Sequence, residues 1–209
     1  SAVPGAPFHL AIGIDAVAYF LNGAQDFILS TQEMGPQPQR TQLSSMDDQR
    51  YLNYPRPELM TWEVLNESAG GLALRERSVP KESLRVGEII AVKPAGEGTH
   101  WNIAVIRWMK SAGAGGIDLG AQRLAPSAEA VAVKPEGGEG KEEGFVPALV
   151  LPEVKPIRQP PTVIARRGLF KPGRVLVLDD GYRARRVLAT RLVELTSSFE
   201  QFQFKSIEP

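Results

Sequence analysis

Seventeen prolines and twenty glycines are scattered along all 209 residues, and this punctuation constrains the fold more than any other feature. Proline breaks the helix ladder and the sheet interior, and glycine weakens both, so long helices find no uninterrupted stretch to occupy. A helical bundle is excluded, and short strands joined by many turns are expected. Between the interruptions the chain reads that way. Met60–Leu65, Gly71–Arg77, Glu88–Pro94, Trp101–Met109, Gly116–Leu124 and Ala130–Lys134 are short runs rich in apolar residues. Turn signals separate them at Val86-Gly87, at Ala95-Gly96-Glu97-Gly98 and across 111–116. Strands at this spacing predict an antiparallel barrel or sandwich over residues 59–134.

The flanks are different. Residues 135–144 consist of Pro, Glu, Gly and Lys, a composition that buries nothing and predicts a flexible linker. Beyond it, Phe145–Leu151, Thr162–Ala165, Arg174–Leu178, Arg185–Glu194 and Phe199–Phe204 form a second set of strands, two of them joined by a hairpin turn at Asp180-Gly181. This second β-unit, 145–209, is too short to close a large barrel alone, and residues 8–30 are expected to complete it. In that N-terminal stretch Phe8–Leu21 reads as one long strand or as a strand and a short helix. The Asn22-Gly23 turn signal follows, then a strand near Asp26–Leu29. Residues 35–58 carry Pro36, Pro38, Pro55 and Pro57 among Gln, Ser and Asp, so 1–58 comprises N-terminal strands and a Pro/Gln-rich arm.

Composition removes several kinds of chemistry. The chain has no cysteine, which excludes disulfides, thiolate zinc, iron–sulfur clusters and thiol catalysis, and only His9 and His100 offer imidazole. Its 24 basic and 24 acidic residues cancel, so no net field draws in nucleic acid. The charge is uneven, however: residues 158–209 hold ten Lys/Arg against five Asp/Glu, and residues 1–157 hold 14 against 19. Arg166-Arg167 and Arg183, Arg185 and Arg186 form either a solvated edge or a surface for an anionic partner. No apolar run approaches the roughly 18 residues of a membrane span, and no signal peptide opens the chain, which predicts a cytoplasmic protein. The opening Ser1-Ala2-Val3-Pro4 suggests a longer parent. Neither Gly-x-Ser-x-Gly nor Gly-x-x-x-x-Gly-Lys-[Ser/Thr] occurs, and Asp179-Asp180 runs straight into Gly181. No catalytic residues, metal ligands or cofactor are read from the sequence, and a binding module is expected rather than an enzyme.

The informative segment is Asn66-Glu67-Ser68-Ala69-Gly70-Gly71. A strand ends there and another begins; Asn and Ser side chains bond neighbouring amides in such turns, and glycine lets another group approach the main chain closely. By composition alone this is an ordinary hairpin. Asn66, Ser68 and Gly71, however, match the [Asp/Asn]-x-Ser-x-x-Gly motif of PilZ domains, six-stranded barrels that bind cyclic di-GMP. The following strands resemble that family too. Leu84-Arg85-Val86-Gly87-Glu88-Ile89-Ile90 is similar to its "xVGxxV" entry, Ile103–Trp108 to its "xxVxR" strand, and Ile117–Gln122 to its "xGVxF" strand. The resemblance covers roughly residues 59–134 and implies a barrel in a bacterial second-messenger protein, with Asn66, Ser68, Gly70 and Gly71 at the ligand.

The family's Arg-x-x-x-Arg pair, which folds over the ligand from a preceding arm, is absent. Arg40, Arg50 and Arg56 are the candidates in its place, since guanidinium both grips phosphate in a two-pronged manner and stacks on purines. Arg107 is a further candidate. By period-2 counting it points opposite to Ile106 and Trp108, and Trp101 and Trp108 fall on opposite faces, one of them a possible platform for a base. Two readings follow: a cyclic di-GMP-binding module that relays the signal to a protein partner or to the rest of its chain, and a degenerate barrel serving as a protein–protein scaffold without nucleotide.

Overall fold

The computed structural model describes residues 2–30, 51–52, 56–78, 84–137 and 144–207. Among these residues it contains two closed six-stranded antiparallel barrels and one short α-helix. The first barrel is built from β1 (Pro7–Ile12), β4 (Met60–Glu67), β5 (Gly71–Glu76), β6 (Ile89–Pro94), β7 (Asn102–Ser111) and β8 (Ile117–Ala125), closing in the order β1-β4-β5-β8-β7-β6. The second uses β9 (Glu129–Pro135), β10 (Val146–Leu151), β11 (Thr162–Ala165), β12 (Val175–Asp179), β13 (Ala184–Leu195) and β14 (Glu200–Ser206), in the order β10-β11-β14-β13-β12-β9. Two-residue strands β2 (Phe27–Ile28) and β3 (Tyr51–Leu52) pair with each other.

Two expectations about strand membership are corrected. Residues 8–30 do not complete the second unit: β1 pairs with β4 and β6 of the first barrel. Conversely, β9, read from sequence as the last strand of the first barrel, pairs with β10 and β12 of the second. The cause lies in which face each strand buries. Phe8 and Leu10 alternate into the first barrel's interior beside Trp62, Val64, Leu72, Leu74, Ile90, Ile106 and Leu119. Val131 and Val133 point instead into the second interior with Val163, Leu176, Leu178, Val187 and Phe202. With β9 added, the second unit closes fully and leaves no open edge.

The other faces of these strands are apolar as well, and they meet. Ala11, Ile89, Ala91, Ile103, Val105 and Ala125 on the outside of the first barrel pack with Ala130, Ala132, Leu149, Leu151, Ile164 and Phe199 of the second. Helix α1 (Ile14–Leu21) enters the same cluster through Val17, Ala18 and Tyr19. Gly13, at a φ of 86°, turns the chain from β1 into this helix, and its amide donates to the Ile89 carbonyl at 2.8 Å. The Asn22-Gly23 signal is the helix stop rather than a hairpin, with the Asn22 amide bonded to the Ala18 carbonyl. At the rim of the seam, the Thr196 hydroxyl on the β13–β14 turn donates to the Gly87 carbonyl at 2.8 Å. The Asp180-Gly181 hairpin forms as read, joining β12 to β13. Of the linker, residues 138–143 lie outside the described residues. Among the described residues no helix is long and apolar enough to cross a membrane, and no cluster of His, Asp and Glu is arranged to hold a metal ion.

Candidate ligand-binding site

The Asn66–Gly71 segment joins β4 to β5 at one end of the first barrel. Trp62 and Val64 point inward, so strict alternation would send Asn66 inward too. A β-bulge between Val64 and Asn66 adds Leu65 as an extra residue, and Asn66 is delivered, exposed, to the outer face opposite Ala73. Its carboxamide has no partner among the described residues. The turn itself is tied by the Ser68 amide, which donates to the Gly71 carbonyl at 2.8 Å, and the Ser68 hydroxyl reaches the same oxygen at 3.3 Å.

Gly71 is required for a reason that can be measured. A Cβ at this position would stand 2.4 Å from the Ala121 carbonyl oxygen of the neighbouring strand β8. Gly70 has open space around its missing Cβ, and its carbonyl accepts the Arg123 amide at 3.0 Å. The glycine that closes the motif is therefore the one where β5 and β8 approach too closely for any side chain.

Beneath the turn lies a residue that sequence reasoning missed. The Arg123 guanidinium donates to the Ser68 carbonyl and to Glu67 Oε1, while the Ala2 amide holds Glu67 Oε2 at 2.7 Å. Burial raises the Glu67 carboxyl, but these donors outweigh it and hold the group below the ordinary carboxylate range. Arg123 thus clamps the turn from the end of β8. The only signal for it is the β5–β8 register, which sets Arg123 beside Gly70 and which no local pattern shows.

The remaining candidates separate. Arg56 is exposed ahead of β4 with no partner among the described residues, whereas Arg40 and Arg50 lie outside the described residues. Arg107 is committed to protein partners: its Nε donates to Gln122 Oε1 at 2.8 Å and its Nη1 to Glu194 Oε1 of the second barrel at 2.6 Å. Gln122 is the cross-strand neighbour of Gly71, so Arg107 runs from beside the motif to the second barrel. The expectation that Arg107 points away from Trp108 is corrected. A second bulge between Ile106 and Trp108 resets the alternation, leaving Ile106 in the interior and both Arg107 and Trp108 outside. Trp101 is no open platform, because it packs on Phe20 with ring centroids 6.0 Å apart and lies under the Lys93 ammonium.

The same outer face carries Arg75 and Asp118, paired through Nε to Oδ1 at 2.7 Å and Nη2 to Oδ2 at 2.9 Å. Bonding to the Arg75 guanidinium holds the buried Asp118 carboxyl below the usual carboxylate range. In the second barrel Arg186 is bound to Glu136 at 2.8 Å and the Arg185 guanidinium lies over Phe204 at 5.9 Å, while Arg166, Arg167 and Arg183 are exposed.

The chain has counterparts among known proteins. Residues 30–130 match the family model described as the middle PilZ domain of the cyclic-di-GMP receptor FimW, and residues 131–207 match that of the FimW C-terminal β-barrel domain. Among curated proteins, the cyclic-di-GMP receptor FimW of Pseudomonas aeruginosa is 32% identical over 149 residues, covering 70% of this chain and 24% of the relative. The chain thus spans about a quarter of that relative's length. No solved structure matches the chain.

Proposed function

The chain belongs to the PilZ family, in the FimW-type arrangement of a PilZ barrel followed by a second β-barrel, and from this premise we propose that it is a cyclic di-GMP receptor module, a binding protein and not an enzyme. One observation carries the reading: the bulge at Leu65 turns Asn66 outward, its carboxamide without a partner among the described residues, beside a turn whose last glycine has a main-chain reason to be glycine. Asn66, Ser68, Gly70 and Gly71 supply the fixed half of the site. The cationic half comes from the preceding arm, by the argument that two phosphates and two guanines need a planar cation that satisfies both. Arg40, Arg50 and Arg56 are the side chains available for that role. Arg107, already bound to Gln122 and Glu194, anchors the site to the second barrel and contributes to the ligand only through donors those bonds leave free.

Binding then acts by population shift. Nucleotide is bridged between arm and turn, and the bound state presents a different surface to a protein partner in the cytoplasm or to the rest of the chain. The test is calorimetric titration with cyclic di-GMP, with GTP as control. Binding of the cyclic dinucleotide alone is expected, and Arg→Lys variants at positions 40, 50 and 56 identify the contributing arginine by loss of most affinity at constant charge. Absence of binding at micromolar nucleotide would defeat the receptor reading and leave the scaffold reading in its place. A triple Ala variant that binds like the parent would refute the arm alone.

A further inference from the structure

Strand β13 runs past the ring that it helps to close. Its first residues, Ala184–Leu188, pair with the five residues of β12 and complete the barrel. One further step ties Ala189 to the Lys171–Arg174 turn: the Gly173 amide donates to the Ala189 carbonyl and the Ala189 amide to the Arg174 carbonyl, both at 2.9 Å. Residues 190–195 continue beyond that point. They pair with β14 on one side, and on the other no main-chain hydrogen bond reaches them among the described residues. Such a stretch offers free amides and carbonyls to another chain. Extra residues at Thr190 and Val193 bulge the ladder, and Thr190, Arg191, Leu192 and Val193 are exposed in succession. The side chains shown are aliphatic where a solvated strand would be polar: Leu192, Val193 and Leu195 are 37%, 40% and 51% exposed. The strip continues across the rim of the seam. Leu195 precedes Thr196, whose hydroxyl is bonded to Gly87, and Gly87 follows the exposed Val86.

The charge around this strip has one sign. Loop 166–174 and the strand end 189–200 hold Arg166, Arg167, Lys171, Arg174 and Arg191. The same stretches hold two carboxylates, and both are engaged: Glu194 with Arg107, and Glu200 with the amides of Gly168 and Phe170. Proximity follows from the ladder. Ala165, Glu200 and Leu195 are successive cross-strand neighbours, so Arg166 and Arg167 leave β11 two strands from Leu195, while Lys171 opens the turn bonded to Ala189. We propose that residues 190–195 are a docking strand for an extended acidic segment of a protein partner. That segment adds to the sheet through main-chain hydrogen bonds, lays aliphatic side chains on Leu192, Val193 and Leu195, and sets its carboxylates against Arg191 and the neighbouring cations. The docking length is about 20 Å. A second copy of this chain is the poorer occupant, because pairing β13 with β13 brings two sets of these cations together. Nucleic acid is disfavoured too, since no exposed aromatic side chain lies in 189–200 to stack a base. The surface requires no nucleotide, so the inference stands apart from the receptor reading.

The probe is a fluorescein-labelled peptide of alternating valine and glutamate, followed by anisotropy as the full chain is added up to about 1 mM. Three comparisons accompany it: the valine–lysine counterpart, the acidic peptide with proline at its two central positions, and a single-stranded oligonucleotide. Only the uninterrupted acidic peptide is expected to bind, and hydrogen exchange should show the 190–195 amides protected in its presence. Arg191→Glu and Val193→Glu, both at exposed positions, should each lose about five- to tenfold in affinity without lowering the melting temperature. An acidic peptide that does not bind overturns the proposal. Equal binding of the proline-interrupted peptide does the same, because no strand is then being added. Preferred binding of the oligonucleotide would make this a nucleic-acid surface, and a concentration-dependent dimer with 190–195 protected in the absence of peptide would make it a contact between copies; either overturns the proposal. Each of these results is read without cyclic di-GMP, so failure here leaves the receptor reading intact, and failure of that reading leaves the docking strand to be judged on the peptide alone.

Discussion

Adjacent glycines in the site turn offer an internally controlled test of the packing argument. Replacing Gly71 by Ala puts a methyl carbon 2.4 Å from the Ala121 carbonyl oxygen, about 1 Å inside the normal C···O contact distance. The obstructing atom is main chain in a paired strand and cannot rotate away. Relief requires the start of β5 to move off β8, at an overpacking cost of about 1–3 kcal/mol together with about 1 kcal/mol for a weakened ladder bond. A net loss of about 2–4 kcal/mol is expected, which for a protein of this size lowers Tm by about 5–15 °C. The control is Gly70→Ala, one residue away in the same exposed turn. Nothing lies within 4 Å of its missing Cβ, and its φ is not in the left-handed region, so stability should change by no more than about 0.5 kcal/mol, or rise slightly as the unfolded chain loses freedom. Thermal and urea unfolding followed by circular dichroism measure both variants against the parent. If Gly70→Ala and Gly71→Ala melt together, the close approach of β5 and β8 is not what demands glycine, and the argument fails.

Asn66→Ala and Ser68→Ala should each weaken cyclic di-GMP binding by about five- to 150-fold while shifting Tm by no more than about 2 °C; equal losses of binding and stability would make them ordinary turn residues. Phe199→Ala in the seam should cost about 3–5 kcal/mol and lower a single calorimetric transition, because both barrels share one core; two separate peaks would contradict that. Asp118 has a folded-state carboxyl lowered by Arg75, so the unfolded state takes up protons first on acidification. Its contribution is complete above the unfolded value, near pH 4, and is lost as pH falls through the lower folded value. Arg75→Gln should flatten that acid limb in urea midpoints measured from pH 5 to 3, and an unchanged limb would show the pair to be irrelevant.

The fold was legible where period and punctuation agree. Runs such as Ile103–Ile106 and Ile117–Ala121, bounded by glycine-rich turns, formed strands where expected, and the motif turn joined β4 to β5. What local pattern does not carry is which barrel owns a strand. Ala130-Val131-Ala132-Val133 is apolar on both faces because one face fills an interior and the other fills the seam, so alternation offered no direction. Bulges were equally hidden. Counting by two placed Arg107 and Trp108 on opposite faces, and a single extra residue in the ladder reversed that result. Arg123 escaped because its importance depends on the register of a strand some fifty positions away.

The apolar seam has a consequence for how such a protein can be reused. Ala11, Val105, Ala132, Leu149 and Phe199 are exteriors of barrels in name only; separated, each barrel would present them to water as a broad sticky patch. A gene fragment ending near residue 130 would strand the first barrel with that patch uncovered and remove the opening residues of β9 from the second. The inheritable and transplantable unit is therefore the pair. Recombination that grafts the first barrel onto a new protein must carry its companion along, and designers of chimeras from this chain face the same rule.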